Sequence, residues 1–142
     1  MATIKSYTDL KQSKKLAEIL PLESADMTLL HKEPYETSDS KFDGLHEMLC
    51  IQFIKYDKPT YRKKYRNIPY FPCWSLSALI IVLPRFIEYK GDKYYLRFMK
   101  EYVEYANDEI SLTGRCLHTT GNDNLVDACY EMILKLHELN LL

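Results

Sequence analysis

The sequence predicts one α+β domain in which a small antiparallel sheet packs against about three helices, in two layers. Three observations support this class. Apolar residues recur at helical spacing near both ends of the chain, over residues 8–20 and 124–142. Between them lie short runs rich in β-branched and aromatic residues, which favour strands. With 142 residues, 46% of them hydrophobic, and only 4 glycines, the chain can bury a core as a single domain over residues 1–142.

The first helix is predicted between Thr8 and Leu20, where leucines and Ile19 recur at near-helical spacing. Thr8 or Ser6 is the expected N-cap, and Pro21 ends the helix. Residues 22–31 are compatible with either a helix or a strand. Residues 31–44 are polar and turn-rich, which predicts an exposed loop.

The middle of the chain alternates a strand, a loop and a helix. Residues 48–56 form a β-branched and aromatic run that predicts a buried strand. Residues 57–71 are basic, rich in tyrosine and interrupted by two prolines, which is typical of a long functional loop. Residues 75–83 lie between Pro72 and Pro84 and are almost wholly apolar, so a short helix buried on most sides is expected.

The C-terminal half is predicted to supply further strands and a last helix. Residues 94–105 combine helical spacing with aromatic and Val content, and we favour two strands. A strand over residues 110–119, interrupted by Gly114, and a turn over residues 120–123 follow. Asn124 is the expected cap of the final helix, with Asp127 in position for a capping box. The apolar stripe of that helix consists of Leu125, Cys129, Met132, Leu136 and Leu139, widened by Val126 and Ile133.

Charge and cysteine content limit the function classes. Because 19 basic and 20 acidic side chains give a net charge of -1, the chain has no global electrostatic attraction to nucleic acid or to anionic membranes. The 4 cysteines include no close pair, and three of them lie in apolar surroundings, which favours buried thiols over a zinc site or disulfides. No apolar stretch approaches the ~20 residues that cross a bilayer. We therefore expect no membrane association and a location in the bacterial or infected-host cytoplasm.

The main candidate site is a basic and aromatic segment within the predicted loop. Cationic side chains bind phosphates and tyrosine rings stack on bases, so their interleaving favours an anionic, ring-containing ligand. A solvated loop whose charges only maintain solubility is the alternative. The N-terminus of the last helix, at Asn124 after Gly121, offers backbone N–H groups to the same kind of ligand. The predicted ligand-binding residues are Lys58, Tyr61, Arg62, Lys63, Tyr65, Arg66 and Asn124.

Recognisable catalytic and metal signatures are missing from the sequence. Ser24, Asp26 and His31 are close together, but no nucleophile elbow surrounds them, and caps or turns explain Ser24 and Asp26. His46 lacks the second histidine of a zinc helix, and the loop over residues 39–44 fails as a calcium site. There is no P-loop or dinucleotide fingerprint. We therefore expect no cofactor and no metal, and we favour a binding protein over an enzyme. Trp74 is expected to anchor the core.

Four segments together resemble a family of small uncharacterised proteins common in gut bacteria, their phages and mobile elements. The segments are residues 12–27, residues 72–84 (beginning PCWSLSAL and ending LP), residues 92–96, and residues 124–138 (NLVDACYEMI and LHE). The resemblance brings no catalytic residues with it. It implies a phage or mobile-element protein that acts by stoichiometric binding, for example against host defence.

The functional expectation is a non-enzymatic binding protein that captures a small anionic ligand such as a signalling nucleotide. Two alternatives remain open: a protein-interaction module that inhibits a host protein, and a nucleic-acid-binding accessory protein. The oligomeric state is also left open, with a homo-oligomer among the alternatives.

Overall fold

The computed structural model describes residues 5–30, 50–52, 70–100, 102–107, 116–121 and 124–142. In these residues the elements are α1 (Leu10–Ile19), a 3₁₀ turn (Leu22–Ser24), β1 (Met27–Leu30), β2 (Cys50–Gln52), β3 (Tyr70–Cys73), α2 (Leu76–Val82), β4 (Phe86–Tyr89), β5 (Asp92–Phe98), β6 (Tyr102–Ala106), β7 (Cys116–Gly121) and α3 (Leu125–Glu138). The predicted α+β class is confirmed, but the strands form two antiparallel sheets where one small sheet was predicted.

The chain divides into two compact units. The α1 unit comprises Thr8–Ser75, and the α3 unit comprises Met1–Tyr7 together with Leu76–Leu142. The single domain over residues 1–142 remains a prediction.

The N-cap of helix α1 lies one residue after the predicted cap Thr8 and three residues after the predicted cap Ser6. Asp9 is the N-cap: its carboxylate accepts the Gln12 backbone N–H at 2.9 Å, and the Gln12 side chain accepts the Asp9 N–H at 3.1 Å. The predicted cap Thr8 is instead buried, with its hydroxyl 2.8 Å from that of Ser13. The predicted end of the helix before Pro21 is confirmed.

The strands of the α1 unit form an antiparallel sheet in the order β2-β1-β3. The segment over residues 22–30, left open by the sequence, forms the 3₁₀ turn and β1. The described part of the strand predicted over residues 48–56 is β2. Tyr70 and Phe71, which we assigned to a loop, belong to β3, where they pair with Leu30 and Leu29.

Trp74 anchors the core of the α1 unit, as predicted. Its side chain has no exposed surface, and its indole N–H donates to the Ser24 hydroxyl at 2.9 Å. Ser24 in turn donates to the Pro21 carbonyl, and the carboxylate of Asp26 accepts the backbone N–H of Ser75 at 2.9 Å. Ser24 and Asp26 therefore have local structural roles, consistent with the interpretation as caps and turn residues.

The α3 unit contains an antiparallel sheet in the order β4-β5-β6-β7. The two strands expected over residues 94–105 correspond to β5 and β6. Strand β7 runs to Gly121, so Thr120 and Gly121 lie in the strand and not in the predicted turn. The Thr120 hydroxyl donates to the Ala128 carbonyl of α3 at 2.7 Å, which fixes this end of the strand against the helix.

Helix α2 forms where it was predicted, but the expectation that it is buried on most sides is wrong. Leu79 has no exposed surface, whereas Ile81 is 82% exposed. A helix of seven residues that packs on α3 through one face leaves its other side chains outside that contact. Composition alone does not specify how much of such a helix is covered.

Helix α3 packs against β6 and β7, and its apolar stripe forms much of the core of the α3 unit. The buried stripe is shorter than predicted, because Leu125 and Leu139 at its ends are only half-buried. Its buried residues are Val126, Ala128, Cys129, Met132, Ile133 and Leu136.

Candidate ligand-binding surface

Most of the predicted site falls outside the part of the chain that the structure describes. Lys58, Tyr61, Arg62, Lys63, Tyr65 and Arg66 all belong to residues 53–69, which are not described. The described end of the basic segment is Phe71 on β3, whose ring centroid lies 5.0 Å from the Lys14 ammonium of α1. Helix α1 therefore adds a cation, Lys14, beside that end of the segment.

The remaining predicted site residue, Asn124, serves as the N-cap of α3. Its side-chain oxygen accepts the Asp127 backbone N–H at 2.8 Å, and its amide donates to the Asp127 carboxylate at 2.7 Å. The Asp127 carboxylate also binds the ammonium group of Lys5 at 2.6 Å. A carboxylate thus already occupies the first turn of α3, where the helix dipole favours negative charge. The side-chain oxygen and amide of Asn124 both form hydrogen bonds within the cap.

A second surface lies on the four-stranded sheet. The face that packs on α3 carries Val103 and Tyr105, which have no exposed surface, and Thr120. Side chains alternate along a strand, so the opposite face carries Lys93, Tyr95 and Arg97 of β5. The strand register adds their neighbours on β4, β6 and β7. We call this surface the Tyr95 face and define it by Phe86, Lys93, Tyr95, Arg97, Glu104 and Cys116.

One end of the Tyr95 face combines two aromatic rings with a cation. Phe86 lies opposite Tyr95, with ring centroids 6.4 Å apart and planes tilted by 53°. The Lys93 ammonium lies 3.8 Å from the Phe86 centroid and 5.5 Å from that of Tyr95. Phe86 is 45% exposed and Lys93 is exposed, so both are accessible to a ligand. Such a group offers ring faces for stacking and a positive charge for an anion.

The other end of the Tyr95 face is a largely covered ion pair. Arg97 lies opposite Glu104, and its guanidinium is 3.7 Å from one Glu104 oxygen. Their side chains are only 13% and 16% exposed. The exposed thiol of Cys116 lies 3.7 Å from the other carboxylate oxygen. The carboxylate is therefore held between a cation and a weak donor, with its position fixed by both.

The two buried thiols of the described residues, Cys73 and Cys129, are not activated nucleophiles. Burial raises the pKa of the Cys129 thiol to about 12 and also raises that of Cys73, so both remain protonated at neutral pH. Desolvation, followed by the charge of Lys135, lowers the pKa of His118. Among the residues that the structure describes, no group of three or more His, Cys, Asp or Glu side chains is placed to hold a metal ion.

In the described residues, no helix has both the length and the apolar character needed to cross a bilayer. No family model, no curated protein and no solved structure matches the chain. The geometry of the two surfaces is therefore the basis for assigning a function.

The sequence contained part of the signal for the Tyr95 face. Tyr95 and Arg97 alternate within residues 94–105, the segment already assigned to strands, and Lys93, one residue before it, continues the alternation on the same face. Phe86 and Glu104 were not associated with them, because only the register of β4 and β6 brings those side chains beside β5.

Proposed function

We propose that this chain is a non-enzymatic binding protein that captures a small anionic ligand containing a planar ring, such as a signalling nucleotide. The observation that supports this function is the Lys93 ammonium over the exposed ring of Phe86 and near the half-buried ring of Tyr95. A counter-defence role for a phage or mobile element is the biological setting that the sequence resemblance suggests.

The physical basis is a local site on a nearly neutral chain. With a net charge of -1 the molecule does not attract anions as a whole, so affinity must come from individual cations and rings. Stacking on an aromatic side chain contributes about 1–3 kcal/mol per base. The Lys93 ammonium, which lies over the Phe86 ring, can donate charge-assisted hydrogen bonds to a phosphate.

The first test is the melting temperature of the protein with a panel of mononucleotides, cyclic dinucleotides and ADP-ribose. A ligand at ~100 times its dissociation constant stabilises the folded state by about 2.7 kcal/mol, which gives a clear shift. Tyr95→Ala and Lys93→Ala should each weaken binding at least about tenfold, since the removed stacking or charge contact is of that size. Lys90→Ala, on the same hairpin, removes the same charge away from the site and should bind as the wild type does.

The basic segment predicted from the sequence is tested separately with Arg62→Ala combined with Arg66→Ala. If this double variant loses the ligand while Lys93→Ala retains it, the binding site is the segment and not the Tyr95 face. If no ligand in the panel changes the melting temperature, the proposed function is wrong.

Nucleic acid is a second candidate because the same rings and cations can stack successive bases of a single strand. This alternative predicts retention on single-stranded RNA or DNA that weakens steeply with salt, whereas a mononucleotide with few phosphates gives a shallow salt dependence. The host-protein alternative predicts recovery of one partner in stoichiometric amount from host lysate.

A further inference from the structure

We infer that the Tyr95 face selects a guanine base, with the Glu104 carboxylate accepting hydrogen bonds from the Watson–Crick edge of that base. This inference rests on the proposed function and names the class of nucleotide that the site binds.

Three side chains of the Tyr95 face lie in a row along one face of β5. Lys93, Tyr95 and Arg97 occupy every second position, and Glu104 lies opposite Arg97. Tyr95 lies opposite Ala106, so Glu104 is its diagonal neighbour on the adjacent strand. Diagonal neighbours are roughly 7–8 Å apart, a distance that a purine stacked on Tyr95 can span with its edge. A nucleotide would then lie with its phosphate at Lys93, its base on Tyr95 and its base edge at Glu104.

The chemistry of a carboxylate favours guanine over the other bases. An ionised carboxylate only accepts hydrogen bonds, and it has two oxygens. Guanine carries two adjacent donors on its Watson–Crick edge, the N1–H and the N2 amino group, which match the two oxygens of a carboxylate. Each oxygen has two lone pairs, so it can accept from the base beside its contact with Arg97 or Cys116. Adenine and cytosine place a ring acceptor next to their amino donor, and uracil has a single donor between two carbonyls. Each of these bases would direct an acceptor towards the carboxylate.

The surroundings of Glu104 support this role. The carboxylate is 16% exposed, and hydrogen bonds in such a covered position are stronger than those in open water. The guanidinium of Arg97, 3.7 Å away, offsets the repulsion between the carboxylate and a bound phosphate. Arg97 and Cys116 contact different oxygens of the carboxylate, which restricts its orientation.

Calorimetric titration of the full chain with GMP, IMP and AMP tests the inference. IMP is guanine nucleotide without the N2 amino group, so it measures the second hydrogen bond alone. We expect GMP to bind about tenfold more tightly than IMP, within the range measured for bidentate recognition of a base, and AMP to bind most weakly. Glu104→Gln should bring the ratio between GMP and IMP close to one.

Glu88→Gln is the matched control. Glu88 pairs with Lys93 on the same sheet and is exposed, so its replacement removes the same charge without changing the edge contact. The ratio between GMP and IMP should be unchanged in this variant. The comparison of GMP with IMP on the wild type requires no substitution, so equal affinities overturn the inference even where Glu104→Gln lowers stability.

The outcomes separate the two proposals. Equal affinity of the wild type for GMP and IMP, or a preference that survives Glu104→Gln, overturns the selection of guanine and leaves nucleotide binding in place. If none of the three nucleotides binds while another anionic ligand does, guanine selection alone is wrong. If nothing in the larger panel binds, both proposals are wrong.

Discussion

Two kinds of aromatic side chain occur in the described residues, and they have different roles. Trp74 and Tyr105 have no exposed surface, and each donates its polar hydrogen, Trp74 to the Ser24 hydroxyl at 2.9 Å and Tyr105 to the Pro84 carbonyl at 2.6 Å. Burial raises the pKa of Tyr105, so its hydroxyl remains a donor at any physiological pH. Phe86 instead keeps 45% of its surface exposed, which a ligand could cover. This contrast separates the structural rings from the candidate stacking rings.

At the residue scale, His118 should make stability depend on pH. It lies on β7, half-buried and close to Lys135, Glu138 and Glu131 of α3. Desolvation, with Lys135 as the next cause, lowers its pKa below the ordinary value of 6.5. Below that pH the unfolded chain binds a proton at His118 that the folded chain does not yet bind. The free energy of unfolding should therefore decrease as pH falls through and below 6.5.

The measurement is urea unfolding of the wild type and of His118→Gln at roughly pH 7.5 and roughly pH 5.5, on either side of the ordinary histidine pKa. The carboxylates titrate in both proteins, so the difference between them isolates His118. The wild type should lose more stability on acidification than the variant. An equal loss in both proteins would contradict the prediction, and His137→Gln controls for removing a histidine elsewhere.

At the element scale, the β4–β5 hairpin determines how Phe86 meets Tyr95. The hairpin turns through two residues, Lys90 with φ 52° and Gly91 with φ 86°. Two successive positive φ angles are typical of a type I′ turn, in which Asn-Gly is the favoured pair. Lysine is less suited than asparagine to the first position, because its Cβ is disfavoured in the left-handed region.

Lys90→Asn should therefore be more stable than Lys90→Ala by about 0.5–1 kcal/mol. The alanine variant is the proper reference because both substitutions remove the charge and the contact of Lys90 with the Tyr89 ring. Gly91→Ala should be destabilising although a Cβ there would meet no atom within 4 Å, since the cost arises from the backbone angle alone. Chemical denaturation measures all three, and equal stability of the Asn and Ala variants would argue against the I′ turn.

Elements with local signals were predictable from the sequence, and those defined by pairing were not. Helix α1 ends before Pro21, and α3 begins after Asn124, because a proline and a cap act on their own neighbours. Strand β1 forms by pairing with β2 and β3, which are distant in sequence. The burial of α2 depends on its contact with α3, and Ile81 outside that contact is exposed. The same limit applies to the Tyr95 face: the alternation along β5 is present in the sequence, but the register that adds Phe86 and Glu104 is not.

At the scale of the whole molecule, the prediction of one domain concerns how the two units unfold. Each unit contains roughly 70 residues, and the α1 unit lies within the sequence of the α3 unit. Chains of that size bury only about 60% of their unfolded surface and are marginally stable alone. We therefore expect the units to unfold together in one cooperative transition.

Trp74 makes this expectation testable, because it is the only tryptophan and belongs to the α1 unit. Its fluorescence reports the α1 unit, whereas far-ultraviolet circular dichroism reports helices and strands of both units. The two unfolding curves should coincide in urea. A nucleotide bound at the Tyr95 face of the α3 unit should raise the midpoint of both curves equally, because linkage acts on the whole cooperative unit. The two units unfold independently if the ligand shifts the midpoint measured by circular dichroism but leaves the midpoint measured by fluorescence unchanged.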